Sequence, residues 1–171
     1  LWEEAGPDFF GSDLVLANLE TPLDVSRPSS FVPEVMLNDM HFNTDERTFG
    51  IFSGAGQYKG FDVLSIANTH SLDMGVEGLD ATMGFLKGKS IDYVGAKRQL
   101  EERDYVIKEI NGIKVGIVAY TYSLNQLLPP QGMEWKVNHL PLNRQDCDIQ
   151  MIREQVKACK VSGAEYIICS M

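Results

Sequence analysis

Gly60-Phe61-Asp62-Val63-Leu64-Ser65-Ile66-Ala67-Asn68-Thr69-His70-Ser71-Leu72-Asp73-Met74-Gly75 is the stretch that decides the fold. Residues 61–67 form a short apolar run behind a glycine, which reads as a buried strand. Polar residues follow at once. Leu72, Val76, Leu79, Met83 and Leu86 then recur at three- and four-residue steps, which predicts a helix over residues 75–86 with one apolar stripe. Gly88 is the expected helix stop. A strand, a polar turn and a helix in succession are the building unit of an α/β sheet, where ligands collect beyond the carboxyl ends of the strands.

Working outward, residues 13–20 begin as a second apolar run and end in Asn18-Leu19-Glu20 before Thr21-Pro22. Residues 24–45 read as a long loop interrupted by Pro28 and Pro33. Residues 46–59 predict a poor helix, since Gly50, Gly54 and Gly56 each weaken it by about 1 kcal/mol relative to Ala. Residues 91–94 form a short strand ending at Gly95. Residues 105–110 and 113–120 flank Asn111-Gly112, a strong hairpin signal. A polar loop over 121–145, a helix over 146–160 stopped near Gly163, and an apolar, buried strand over 164–170 complete the chain. The fold class is α/β in a single domain over residues 1–171, and a chain stopping on a buried strand reads as a fragment.

The 171 residues are enough for one domain, and 44% hydrophobic with 23% charged residues excludes disorder and a disulfide miniprotein. No run of about 18 apolar residues exists to span a membrane, and residues 1–6 carry no signal-peptide pattern. With 24 acidic against 15 basic residues, the net charge is −9. That balance argues against nucleic acid and anionic membrane surfaces as partners, because both are bound through cationic side chains. An anionic ligand would need a local cation, and a metal supplies one. Cys147, Cys159 and Cys169 make no Cys-x-x-Cys pair; Cys159 and Cys169 read as small buried hydrophobes.

Two strand ends carry groups able to ligate metal. Asn18 and Glu20 are two apart, so in extended backbone they share a face while Leu19 packs inward. Asn68 and His70 share a face likewise if the strand persists that far, and Asp73 starts the helix, caps it or orients His70 through its ring N–H. The amide oxygens, imidazole and carboxylates form a mixed N/O set suited to Mn, Fe, Zn or Mg. Such ions activate water and stabilise a phosphoryl transition state, and a neighbouring His protonates a leaving group. The plain alternative stays open for each cluster: a turn beside a solvent-facing carboxylate, and a helix start with a satisfied histidine. Other features offer less. Gly54-Ala55-Gly56 lacks phosphate-loop spacing. His41 and His139 have no partner motif, Trp2 and Trp135 read as packing, and residues 97–103 read as a solvated mixed-charge face.

These segments resemble the CapA family of bacterial capsule and poly-γ-glutamate biosynthesis proteins, within the calcineurin-like metallophosphoesterase superfamily. The resemblance is carried by residues 13–23, by residues 60–75 with Glu77-Gly78-Leu79, and by Ile91-Asp92-Tyr93-Val94-Gly95-Ala96 and Gly112-Ile113-Lys114-Val115-Gly116. It implies a layered αββα sandwich, incomplete at both ends: a first strand ending in Gly-Asp and later histidine-bearing motifs are expected outside the chain. The family's common Asn-Asn-His is here Asn68-Thr69-His70. The resemblance implies that Glu20, Asn68 and His70, with Asn18, hold a divalent metal, that His70 and Asp73 act catalytically, and that the whole protein is a metal-dependent phosphoesterase-like hydrolase. It also implies an extracytoplasmic, cell-envelope location. Implied partners are an anionic polymer or phosphoester substrate and membrane-bound capsule or polyglutamate synthesis components. Two other functions remain open: non-catalytic handling or anchoring of the polymer, and a plain α/β binding domain.

Overall fold

The structure is a computed structural model that describes residues 2–30 and 40–171. Strand β2 (Val63–Ser65) is buried at every residue, as a central strand covered on both faces must be. It pairs in parallel with β1 (Leu16–Asn18) on one side and β3 (Asp92–Val94) on the other, so that Ala17, Leu64 and Tyr93 lie in one row. Helix α3 (Gly75–Gly88) buries Leu79, Met83 and Leu86 in one cluster with Val63 and Leu64. Each such side chain contributes roughly 1.5–3 kcal/mol on burial.

The second sheet is mixed. β4 (Val106–Ile110) runs antiparallel to β5 (Ile113–Ala119), and β6 (Tyr166–Ser170) runs parallel to β5. Asn111 at φ +51° and Gly112 at φ +82° make the two-residue turn that the Asn-Gly pair predicts. Along β5 the side chains alternate between two cores. Val115, Ile117 and Ala119 join the first sheet's cluster. Val118 and the next residue, Tyr120, pack with Cys159 of helix α4 (Gln150–Val161). The order of layers is therefore helix, sheet, sheet, helix, and the α/β expectation holds.

The two sheets approach each other at Gly95, which has φ +94°. A Cβ there would stand 2.4 Å from the Ala67 Cβ and 3.2 Å from the Ala119 Cβ. Glycine meets both demands, because it tolerates positive φ and leaves the space empty.

Several expectations need correction. The helix expected over 46–59 is only α2 (Glu46–Phe52), begun by Asp45, whose side chain accepts from the Thr48 N–H at 2.7 Å. That bond holds the Asp45 carboxyl below its ordinary range. Gly54, Gly56 and Gly60 take positive φ and end the helical path. A short helix α1 (Gly6–Phe10) was not expected, although Pro7 is an early-helix residue. Gly88 is the last residue of α3, and the left-handed position after it is Ser90 at φ +58°. The helix expected from 146 starts at Gln150, whose N–H is held by the Asp148 side chain at 2.8 Å. β6 is not buried: Tyr166 is 64% exposed, because among the described residues β6 pairs only with β5. Cys169 is exposed with it, whereas Cys159 is buried as expected. Pro33 and the middle of the expected 24–45 loop lie outside the described residues.

Candidate metal centre at the strand ends

β1 and β2 run in parallel, so their carboxyl ends lie side by side and deliver the polar residues after them to one place. The Asn18 amide donates to the Glu20 carboxylate, so these two do share a face. The Asn68 Nδ2 donates to the Asn18 Oδ1 at 3.1 Å and to the Leu19 carbonyl at 2.7 Å. The Thr69 hydroxyl donates to Glu20 Oε1 at 3.2 Å. Glu20, Asn18 and Asn68 thus form one hydrogen-bonded cluster across two strands. Asn68 is buried, while Asn18 and Glu20 are exposed to solvent.

His70 arrives differently from the expectation. β2 ends at Ser65, and residues 68–71 form a turn closed by Ser71 N–H to the Asn68 carbonyl at 3.2 Å. Asn68 and His70 therefore do not lie on one extended face. Ser71 causes the turn: its hydroxyl accepts from the Asn68 N–H at 2.8 Å and sits 2.7 Å from the Ile66 carbonyl. A serine hydroxyl bonding nearby backbone competes with the strand ladder. The turn links His70 to the cluster through its backbone, since the His70 N–H donates to Asn68 Oδ1 at 3.1 Å.

Of Asp73's three expected roles, the structure selects the orienting one. His70 Nδ1 lies 2.7 Å from Asp73 Oδ2. A carboxylate only accepts, so Nδ1 carries the proton and Nε2 is left as the free ring nitrogen. The same Oδ2 accepts the Phe42 N–H at 2.7 Å, and the Phe42 ring packs 4.3 Å from the imidazole. The Asp73 side chain is wholly buried, and its Oδ1 meets no hydrogen-bond donor among the described residues. Helix α3 takes Met74 as its N-cap, with no side-chain capping bond, so Asp73 is not a cap.

The residues fit a divalent ion in their chemistry. An exposed carboxylate and two amide oxygens meet at the strand ends, and an imidazole whose Nδ1 is held by a carboxylate has its other nitrogen fixed for ligation or proton transfer. The fit is incomplete in number: among the described residues no three His, Cys, Asp or Glu side chains group together as a metal site. The His139 Nε2 lies 3.3 Å from the Tyr122 carbonyl. Trp2 packs on Phe9 and Phe10, and the Trp135 N–H donates to the Gly132 carbonyl at 2.9 Å. Phe42 was missed in the sequence, because a backbone N–H and a ring tilted against the imidazole leave no motif in a loop.

A cavity of about 580 Å³ lies at the opposite ends of β2 and β3 and is lined by Lys59, Lys89 and Lys108. Each of these lysines is paired, with Asp62 at 2.9 Å, Glu46 at 2.5 Å and Asp92 at 2.6 Å, so the cavity offers no net charge.

A layered α/β domain with a polar, oxygen-rich cluster at parallel strand ends defines the class. The whole chain, residues 1–171, matches the family described as bacterial capsule synthesis protein PGA_cap, and it belongs to that family. Among its relatives, the capsule biosynthesis protein CapA of Bacillus anthracis is 27% identical over 122 residues, covering 71% of this chain and 28% of that protein. The PGA biosynthesis protein CapA of Bacillus subtilis (strain 168) is 25% identical over 123 residues, covering 71% of this chain and 30% of that protein. The chain therefore spans less than a third of the length of these relatives. Membership in a capsule biosynthesis family associates the protein with the cell envelope. Among the described residues, no helix is long and apolar enough to cross a membrane.

Proposed function

We propose that the chain carries part of the metal centre of a divalent-metal-dependent phosphoesterase-like hydrolase acting in capsule or poly-γ-glutamate biosynthesis outside the cytoplasm. The observation that carries this reading is the pairing of two features: Glu20, Asn18 and Asn68 joined across two strand ends, and His70 locked to Asp73 and tied to Asn68 through its backbone N–H. Glu20, Asn18, Asn68 and His70 would hold the ion. A bound divalent ion supplies Lewis-acid charge for a phosphoryl oxygen and for water. Asp73 fixes the imidazole and Phe42 packs against it, which leaves Nε2 as the one ring atom that would either hold the ion or, when protonated instead, hand a proton to a leaving group. In a chain of net charge −9, an anionic polymer or phosphoester meets the site only through such a cation. Membrane-bound synthesis components are the proposed neighbours.

The test is divalent-dependent phosphoester turnover in the intact protein, with Glu20→Gln and His70→Ala. Both substitutions are expected to abolish turnover, and unchanged turnover in both overturns the reading. A second readout is the melting temperature, which a ligand bound only by the native state must raise.

One observation favours a second reading, non-catalytic handling of the polymer by the same fold. Both Glu20 oxygens are already engaged, by Asn18 and by Thr69. Binding of poly-γ-glutamate without any phosphoester turnover would select it.

A further inference from the structure

A cavity of about 410 Å³ opens beside the cluster, walled by Trp2, Phe9, Phe52, Phe61 and Leu64 and sharing Asn18 and Glu20 with it. The volume lies in the range of small-molecule sites, which are mostly apolar with a few convergent polar groups. Its polar groups are gathered at one end: Asn18, Glu20, Thr21 and Thr44. Among the described residues, Glu20 is the only ionisable one on the lining, and its carboxylate is held by Asn18 and Thr69 of the cluster. The rest of the cavity thus has no charge to offer an ionic group. Phe9 is 37% exposed and Phe52 53% exposed, so apolar surface is open to water at the mouth. The Trp2 N–H donates to the Ile51 carbonyl at 2.7 Å, and its ring stacks on Phe9 with centroids 5.6 Å apart, which fixes one wall in place.

We propose that this cavity takes the apolar organic group of the site's ligand, so that the ligand class is an alkyl or aryl phosphoester whose polar end meets the Glu20 cluster. The phosphate half of this statement rests on the hydrolase reading above, whereas the apolar half rests on the cavity alone. A fully hydrophilic ligand would leave the aromatic walls wet.

The experiment uses the intact protein and its Trp2→Phe variant, whose difference spectrum isolates the emission of Trp2. Trp2 emission is followed on titration with n-alkyl phosphates and with n-alkanols of one to six carbons. Affinity is expected to tighten about fourfold per added methylene in both series. Phe52→Gln, at an exposed position, is expected to flatten both series by removing a wall. Broadening of the alkyl proton resonances reads the same binding in the unsubstituted chain. Chain-length-dependent binding of the alkanols with no phosphate release from any ester upholds the cavity and overturns the hydrolase. Phosphate release indifferent to alkyl length, with Trp2 emission unmoved, does the reverse. Emission that is already blue-shifted and unresponsive to every probe means that protein fills the cavity, and overturns the proposal.

Discussion

Asp73 holds His70 with one oxygen and leaves the other buried without a donor among the described residues: Oδ2 lies 2.7 Å from Nδ1, and Oδ1 is sealed. Burying an unsatisfied oxygen costs free energy, typically about 1–3 kcal/mol. The fold therefore spends stability to keep a carboxylate behind this imidazole. Asp73→Asn should free the ring and weaken the Phe42 contact. The expected result is loss of the single Nδ1–H tautomer in imidazole nitrogen NMR. A tautomer unchanged by the substitution would show that Asp73 does not orient the ring.

Gly95 and Gly112 both have positive φ, at +94° and +82°, but their surroundings differ. Gly112 has open space where a Cβ would go, whereas Gly95 meets two alanine methyls. Gly112→Ala is expected to cost about 1 kcal/mol for the backbone alone. Gly95→Ala adds overpacking and is expected to cost about 2 kcal/mol more. Urea midpoints of the two variants check this, and equal losses would remove the steric argument.

Tyr120 is buried, and its hydroxyl donates to Gln155 Oε1 at 2.5 Å, while Gln155 Nε2 donates to Asp104 at 2.5 Å. Burial pushes the Tyr120 hydroxyl well above its ordinary value of about 10. The folded chain then keeps a proton that the unfolded chain releases. The stability tied to Tyr120 is full below about pH 10 and falls as the pH rises further. Tyr120→Phe should flatten that alkaline limb of the stability curve. It should also cost about 1–2 kcal/mol at pH 7, because Gln155 loses its donor.

The three cysteines should separate by reactivity. Cys169 is exposed and Cys159 wholly buried, and burial pushes both thiols up, so access separates them. A thiol reagent at pH 8 is expected to modify Cys169 quickly and Cys159 only as fast as the chain opens. Equal rates would contradict the packing of α4 on β5.

Much of this architecture is legible in the residues. The apolar run before Asn68 and the three- and four-residue stripe of α3 report burial directly, and Asn111-Gly112 reports its turn through positive φ. The pairing of Asn18 with Glu20 follows from a two-residue strand period. What failed was the path of the chain after Ser65. A hydroxyl at position 71 competes with the ladder, and whether it wins depends on where the Ile66 carbonyl lies, which no local pattern states. The exposure of Cys169 was likewise illegible, since an apolar run does not say how many neighbours its strand will have. Phe42 reaches His70 from 28 positions away through a backbone group that every residue possesses, so side-chain identity carried no signal.

The contact at Gly95 has a consequence for how such domains diverge. Position 95 acts as a spacer gauge between the two sheets, since its missing side chain sets how near the methyls of Ala67 and Ala119 approach. Enlarging any member of this trio would wedge the layers apart.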